Sequence, residues 1–409
     1  MTTKLPQITR ALYYTTVASF VFLVCMHSMP LSAQQITRVD GNKINVDLLK
    51  ARIITLMQKA KVKGIEVAIF NHNRTVFKSA FGIANDTGDS LLKTSTSIYG
   101  ASLSKPLFAV LVLKLVEEGK LDLDKPLQEY LDKPIYAYPP KTKWQDHYED
   151  LRLDSNYTKI TARMCLMHTT GFPNWRWDND DQKLKLASMP GSRYSYSGEG
   201  MVYLQTVIER MTGKTLDQLM TEKIFGPLAM KNAAYTFLPR FEASYAVGYN
   251  TEGKAYEKDK DNEARAPSTL ETTFDDYVTF IEAVMQGRIL KKPSTAEMFR
   301  PQIRLKSAGQ FGPMAHKETT ENDAISLSYG LGWGLLKSPY GWAAFKEGHG
   351  DGFQHYCILF PKAGIGIVIM TNSDNGESTF KELLELAIAD KYTPWRWQNY
   401  IPYNHDPNQ

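Results

Sequence analysis

The chain has 409 residues, of which 43% are hydrophobic and 22% are charged, and its formal net charge is only +4. This length holds one large two-part domain or two modest ones, with an ordinary hydrophobic core. The weak charge, without a lysine or arginine run, argues against a nucleic-acid partner and favours a small-molecule one.

Residues 1–33 have the pattern of a secretory signal peptide. Lys4 and Arg10 precede an apolar stretch from Val17 to Met26, and a small-residue cleavage site ends at Ala33. The apolar core of roughly ten residues is too short for a membrane-spanning helix, which needs about 20. We therefore predict a periplasmic or secreted protein that keeps no stable membrane span once the signal is removed.

The chain has three cysteines, too few for a disulfide framework. Lipid attachment at Cys25 is a weaker alternative to secretion, because bulky Val24 stands where a lipoprotein signal normally has a small residue. Cys165 and Cys357 remain after cleavage, and the sequence leaves open whether they pair.

Residues 62–84 contain two β-rich runs around a polar turn. The runs are Ile65–Phe70 and Thr75–Phe81, with Asn71–Arg74 between them, which predicts a hairpin. A segment with helical spacing precedes them, around Val46–Lys61.

Residues 102–320 are largely helical in their apolar spacing. Residues 329–390 return to β-rich runs and end in a helical pattern. These runs are Tyr329–Leu336, Ala343–Glu347, Tyr356–Phe360 and Ile365–Thr371, and the helix is Thr379–Ala389. Strands at both ends predict an α+β fold, an α/β sandwich in which helices flank one antiparallel sheet built from both termini.

The same pattern sets the expected domain organisation. The helical region between the strand groups is predicted to be an inserted subdomain, and a ligand cleft is expected where it meets the sheet. We predict one domain over residues 34–395 and a C-terminal tail over 396–409.

A Ser-x-x-Lys sequence places both side chains on one helix face, so that the lysine amine can take the serine hydroxyl proton. The chain has three, beginning at Ser90, Ser102 and Ser378. Ser90 lies in a polar run typical of a solvated loop, and Ser378 is best interpreted as the N-cap of the last helix. Ser102, with Lys105, opens a strongly apolar helix whose buried positive end favours developing negative charge. An N-cap remains the alternative for Ser102.

Two glycine-bearing passages carry further candidates. Tyr196 lies in the loop Arg193–Gly200, and its phenol can shuttle protons beside a cation, although a packing role is the commoner one for such a tyrosine. His349 lies in Glu347–Phe353 between two β-rich runs, where glycine permits close approach of a ligand. The alternative for His349 is a surface residue in a tight turn.

In order and spacing these three elements resemble the class C β-lactamases, the D-Ala-D-Ala carboxypeptidases and the related esterases. Their superfamily carries Ser-x-x-Lys and Lys-Thr-Gly signatures. The resemblance covers nearly all of the chain after residue 33 and includes four flanking phrases, Cys165–Pro173, Phe225–Met230, Tyr329–Trp333 and Met370–Asn372.

The resemblance implies a fold of the β-lactamase and penicillin-binding-protein transpeptidase type. It also implies a serine hydrolase without a cofactor that acts through an acyl-enzyme. The implied substrates are β-lactams, D-amino-acid peptides such as those derived from peptidoglycan, or small esters.

The resemblance also assigns roles. Ser102 becomes the nucleophile, Lys105 its cationic or basic partner, and Tyr196 the tyrosine of a Tyr-x-Asn motif. His349 takes the place of the lysine of Lys-Thr-Gly. The implied oxyanion hole consists of the backbone N–H groups of Ser102 and Gly352.

Two departures from the family pattern affect the expected substrate. Gly198 stands where Tyr-x-Asn has asparagine, so a side-chain amide that would bind a substrate carbonyl is missing. Asp351 stands where the third motif has glycine. In a regular strand His349 and Asp351 would share a face, and the Asp351 carboxylate would then either pair with His349 or repel anionic β-lactams, so neutral esters are the expected substrates. The alternative is a bulge that turns Asp351 to solvent.

Other classes fit less well. A Gly-x-Ser-x-Gly elbow is absent from the sequence, and its histidines form no cluster with metal-ligand spacing, so no metal is expected. A catalytically silent ligand-binding homologue, a sensor or scaffold of the cell envelope, is the alternative from a different class. The intact set of Ser102, Lys105 and Tyr196 argues against it.

Overall fold

The computed structural model describes residues 1–2, 34–86, 90–260 and 263–405. The predicted signal peptide falls on residues 3–33, outside the described residues, and stays a prediction. Gln35–Gln409 form one compact unit. Within the described ranges, no helix is both long enough and apolar enough to cross a membrane.

The strands of the described chain lie mainly at its two ends. In order they are β1 (Gln35–Thr37), β2 (Lys43–Asn45), β3 (Gly64–Asn71), β4 (Arg74–Gly82), β5 (Ser97–Tyr99), β6 (Glu271–Thr273), β7 (Ile303–Arg304), β8 (Ser328–Tyr329), β9 (Gly334–Ser338), β10 (Gly341–Gly350), β11 (Phe353–Phe360) and β12 (Ile365–Thr371).

The α-helices of the described chain lie mostly between the two strand groups. In order they are α1 (Val46–Ala60), α2 (Ser104–Glu117), α3 (Ala162–Leu166), α4 (Gly198–Thr212), α5 (Leu216–Met220), α6 (Phe274–Met285), α7 (Lys292–Met298) and α8 (Phe380–Ile388).

Eight of the strands form one antiparallel sheet in the order β4-β3-β12-β11-β10-β9-β8-β7. The two ends of the chain meet in its middle, where β3 pairs with β12 and Val67 lies opposite Ile369. This confirms the predicted antiparallel sheet built from both termini, with the helical region inserted between its two halves.

The central strands β3, β11 and β12 are buried on both faces because they carry apolar residues at most positions. On β12, Ile367 and Ile369 belong to the core cluster shared with α1 and α8. Val368 and Met370 point to the opposite face and belong to the cluster shared with α2 and the inserted helices. Successive side chains of a strand face opposite sides, so one continuous apolar run supplies both cores.

Three features of the C-terminal part and the cysteines are described by the structure. Ser378 does not cap α8, which begins at Phe380. The Ser378 hydroxyl lies in the preceding 3₁₀ turn and donates to the Asn375 carbonyl at 2.6 Å. The predicted tail begins inside packed structure, since the Trp397 side chain is only 1% exposed. Cys165 and Cys357 are both buried and free.

Candidate active site

Ser102 lies in a tight turn directly before α2. The turn is a 3₁₀ segment, Ala101–Leu103, and Ala101 has a φ of 45°. A left-handed conformation is costly for a non-glycine residue and often occurs at functional sites. Leu103 occupies the cap position of α2 and no side chain caps the helix, so Ser102 is not an N-cap. The hydroxyl instead projects at the N-terminal end of the helix.

Lys105 follows on the first turn of α2 and is buried. Its Nζ lies 2.9 Å from Ser102 Oγ and donates a hydrogen bond to the carbonyl of Pro267 at 2.9 Å. Burial lowers the pKa of Lys105 well below its usual value, and the Lys346 cation adds to this effect. A neutral amine held beside a hydroxyl is suited to accept its proton.

Tyr196 covers Lys105 from the loop before α4. Its ring centroid lies 4.7 Å from Lys105 Nζ, and its phenol is within hydrogen-bonding reach of Ser102 and Lys346. His168 supports the ring from behind at a centroid distance of 4.3 Å, and its Nδ1 accepts the N–H of Ser197 at 3.1 Å. Burial raises the pKa of Tyr196, so the phenol keeps its proton at neutral pH.

The cation beside Tyr196 is Lys346, from the interior of β10, and not His349 as expected. Lys346 Nζ lies 5.0 Å from the Tyr196 ring centroid and 2.8 Å from Glu347 Oε1. Burial opposes the charge of both Lys346 and Glu347, but the attraction between the two charges outweighs this effect. The pKa of Lys346 is raised, and that of Glu347 is lowered to about 2. Lys346 is therefore a fixed cation, in contrast to Lys105.

His349 does line the cleft that contains Ser102, but its Nε2 pairs with Glu377 Oε2 at 3.1 Å. The side chain is 40% exposed. It is brought into the cleft without reaching Tyr196. The structure therefore adds Lys346, three residues before His349, as a candidate for the lysine position of the third motif.

Gly352 and Asp351 do not join the cleft. Strand β10 ends at Gly350, which pairs with Phe353, so Asp351 and Gly352 form the turn. The alternation that would place Asp351 beside His349 stops there. Asp351 lines a neighbouring cavity of about 480 Å³ that has only Tyr99 in common with the cleft. The Gly352 N–H donates to Asp374 Oδ1 at 2.8 Å, so it is already occupied.

The sequence analysis missed Lys346, although a signal was present. Lys346-Glu347-Gly348 has the form Lys-x-Gly, and the Lys-Thr-Gly signature is expected on a strand near the C-terminus. Gly348 packs close to the Ser102 turn, because a Cβ built there would lie 3.3 Å from the Gly100 carbonyl oxygen. The third element is thus Lys346–Gly348.

The cleft itself has a volume of about 720 Å³. Besides the catalytic candidates, it is lined by the side chains of Trp144, Trp175, Trp177 and Arg265. None of these four was singled out from the sequence, because Trp144, the Trp175–Trp177 segment and Arg265 are far apart in the chain and share no motif. The Arg265 guanidinium lies over the Trp144 ring, with Cζ 5.6 Å from the ring centroid.

Comparisons with known proteins agree with this geometry. A family model described as Beta-lactamase matches residues 49–390. The D-alanyl-D-alanine-carboxypeptidase/endopeptidase AmpH of Escherichia coli is 24% identical, over 89% of this chain and 92% of its own length. Penicillin-binding protein 4* of Bacillus subtilis is 24% identical over 81% and 73%. A shorter match, 24% identical over 47% and 52%, is the esterase EstB of Burkholderia gladioli.

Solved structures share the fold at low sequence identity. The octameric penicillin-binding protein homologue from Pyrococcus abyssi superposes with a TM-score of 0.66 at 20% identity, covering 87% of this chain and 80% of its own. A β-lactamase/D-alanine carboxypeptidase from Pseudomonas syringae also gives 0.66, at 17% identity over 84% and 98%. The transpeptidase-like fold predicted from the sequence is therefore confirmed.

Proposed function

Because the chain belongs to the beta-lactamase family, we propose that it is a serine hydrolase that forms an acyl-enzyme on Ser102. The observation that carries the proposal is the 2.9 Å contact between Lys105 Nζ and Ser102 Oγ, together with the lowered pKa of that lysine. A neutral Lys105 is the general base, and the fixed cation is supplied separately by Lys346.

Acylation begins with transfer of the Ser102 hydroxyl proton to Lys105 Nζ. The Oγ forms a bond to the substrate carbonyl carbon, and the carbonyl oxygen takes the negative charge. Collapse of this intermediate breaks the bond to the leaving group, which receives the proton from Lys105 directly or through the Tyr196 phenol. The hydrogen bond from Lys105 to the Pro267 carbonyl keeps the amine in place throughout.

The negative oxygen needs backbone donors, and the open edge of β10 can supply one. Strand β9 pairs with β10 only as far as Phe345, opposite Gly334. Beyond that point every second residue of β10 turns its N–H toward the cleft. If Gly350 bonds Phe353 across the turn, these residues are Glu347 and His349. We assign the oxyanion hole to the N–H groups of Ser102 and His349, in place of the Gly352 N–H.

Deacylation requires a water molecule to attack the acyl-enzyme. Lys105, neutral again after the leaving group departs, takes the water proton and returns it to Ser102 Oγ. Tyr196 lies between Lys105 and Lys346, so its phenol is positioned to relay this proton while Lys346 stabilises the charge that develops on the phenol oxygen. The substrates we propose are esters and amides, including D-amino-acid peptides and β-lactams.

Covalent labelling tests the proposal. The chain is incubated with benzylpenicillin, a D-Ala-D-Ala peptide or p-nitrophenyl acetate, and intact mass is measured for wild type, Ser102→Ala and Ser378→Ala. We expect an acyl adduct with at least one of the three on wild type and Ser378→Ala, and none on Ser102→Ala. The stability cost of Ser102→Ala should stay below about 2 kcal/mol, because no core volume is lost.

Ser378→Ala is the matched control, because it removes the serine of a second Ser-x-x-Lys sequence outside the cleft. Turnover by Ser102→Ala above a few per cent of wild type would show that another group is the nucleophile. A wild-type chain that binds these ligands but never forms an adduct would favour the catalytically silent homologue.

A further inference from the structure

Gly198 leaves room for an aromatic ring. A Cβ built on Gly198 would lie 2.7 Å from Cη2 of Trp175 and 2.9 Å from two further atoms of the same indole. Real Cβ atoms do not approach a ring this closely. The indole of Trp175 therefore occupies the space that any side chain at position 198 would need, including the asparagine of the Tyr-x-Asn pattern.

Trp175 is one of three tryptophans that form a continuous surface, here called the tryptophan wall (Trp144, Trp175 and Trp177). Trp175 and Trp177 stack with ring centroids 4.9 Å apart and 11° between their planes. Trp144 meets both edge-on, at 6.2 Å and 4.7 Å. All three line the cleft that contains Ser102, and Trp177 is 47% exposed.

The wall is held rigidly from beneath. Arg176, between two of its tryptophans, is buried and forms two hydrogen bonds to the Glu199 carboxylate, each of 2.8 Å. Glu199 also accepts the Arg176 backbone N–H at 2.9 Å. A bidentate, charge-assisted pair of this kind gives geometric specificity. Two adjacent residues at the start of α4 therefore position the wall. Gly198 leaves space for the Trp175 indole, and Glu199 binds Arg176.

We propose that the tryptophan wall binds a ring carried by the substrate, stacked on the indoles while the scissile carbonyl lies at Ser102. The ring presents a flat apolar face to the indoles. This face is formed by C–H groups when the ring is a sugar, and by an arene when it is an aromatic acyl group. An exposed and preorganised aromatic surface next to a nucleophile is typical of a ligand-binding site. The proposal rests on the proposed function, because it names the substrate class of the same cleft.

Binding to the Ser102→Ala chain tests the wall without turnover. Two ligand pairs are compared by calorimetry, phenylacetyl-D-Ala-D-Ala with acetyl-D-Ala-D-Ala, and a disaccharide pentapeptide with the free pentapeptide. We expect the ring-bearing member of at least one pair to bind about tenfold more tightly. Trp177→Ala should abolish that ratio, and Trp177→Phe should retain part of it. The pair that shows the ratio identifies the source of the ring.

A second arm uses Gly198→Asn, which must displace Trp175 and should reduce the same ratio. Equal affinities within each pair, no measurable binding of either ring-bearing ligand, or a ratio that survives Trp177→Ala would each overturn the wall as a binding surface. The proposed function fails by a different result, namely ester hydrolysis by the Ser102→Ala chain.

Discussion

At the scale of single residues, burial opposes the charge of both lysines beside Tyr196, but their different partners lead to opposite pKa shifts. Lys105 has the Pro267 carbonyl as a partner and its pKa is held well below the usual value, whereas Lys346 has the Glu347 carboxylate and its pKa is raised. The same low-dielectric surroundings therefore produce one base and one cation. Because Lys346 also lowers the pKa of Lys105, the two roles are coupled.

Removing Lys346 tests this coupling. Lys346→Met should lower kcat/KM by roughly 10²–10³, the range for losing a preorganised charge. It should also raise the pKa of Lys105, so that the acid limb of the kcat/KM profile moves to higher pH. The profile is measured with p-nitrophenyl acetate on wild type and variant.

The control is His349→Gln, whose side chain lies in the cleft but pairs with Glu377. It should change kcat/KM less than tenfold and leave the acid limb in place. Since Lys346→Met leaves Glu347 buried without its partner, the double variant Lys346→Met/Glu347→Gln is measured as well and should show a smaller shift in the same direction. A larger loss with His349→Gln than with Lys346→Met would reverse the assignment.

At the scale of elements, strand β3 carries a buried ionisable side chain, Glu66, within a largely apolar run. Glu66 is fully buried opposite Met370 and Ala80, and neither carboxylate oxygen has a hydrogen-bond partner in the described chain. Burial raises the pKa of Glu66 well above its usual value, and Asp275 adds to the shift. The side chain is therefore a neutral carboxylic acid in the folded protein at low and moderate pH.

Glu66→Gln should flatten the pH dependence of stability. A group whose folded pKa is raised stabilises the protein below its unfolded pKa of about 4.5, and this contribution is lost as pH rises toward the folded value. Urea unfolding between about pH 5 and about pH 8 should show a smaller decrease for Glu66→Gln than for wild type, by up to about 1.4 kcal/mol per pH unit. The exposed Glu129→Gln serves as control and should follow wild type. Parallel curves for Glu66→Gln and wild type would contradict a neutral Glu66.

At the scale of the whole molecule, His355 connects the large sheet to β5, the strand that precedes the Ser102 turn. From β11 its Nε2 donates to the Tyr99 carbonyl at 2.7 Å, and its Nδ1 accepts the Thr371 N–H at 3.2 Å. Only the neutral ring can do both, since a protonated ring has no acceptor. Burial lowers the pKa of His355 to about 4.

This arrangement predicts acid sensitivity. The unfolded chain binds a proton on His355 near pH 6.5, whereas the folded chain binds it only near pH 4. The free energy of unfolding should therefore fall as pH drops through this window, by about 3 kcal/mol from this group. Urea unfolding of His355→Gln should show a slope reduced by about 1.4 kcal/mol per pH unit there. His349→Gln is measured alongside, because the His349 charge contributes to the low pKa of His355, and it should change the slope less than His355→Gln does. An unchanged slope in His355→Gln would contradict this role.

The sequence alone determined the features that depend on local spacing. Ser102 and Lys105 lie three residues apart at the start of an apolar helix, so their contact follows from helix geometry. The strand groups at the two ends and the helices between them follow from apolar periodicity, which reflects burial along each element. These features were sufficient to predict the sheet with its inserted helices and the Ser102–Lys105 pair, whereas the role of Tyr196 was inferred from the family resemblance.

Only the tertiary structure decided which residues of the third element face Ser102. That choice depends on where β9 stops pairing with β10 and where the turn after Gly350 begins, and both are set by long-range packing. Because β10 runs to Gly350, Lys346 lies within the strand beside Tyr196, whereas Asp351 lies in the turn and lines another cavity. The tryptophan wall likewise depends on a contact between distant parts of the chain. The Trp175 indole packs against Gly198 only in the folded protein, so the sequence alone does not reveal this contact.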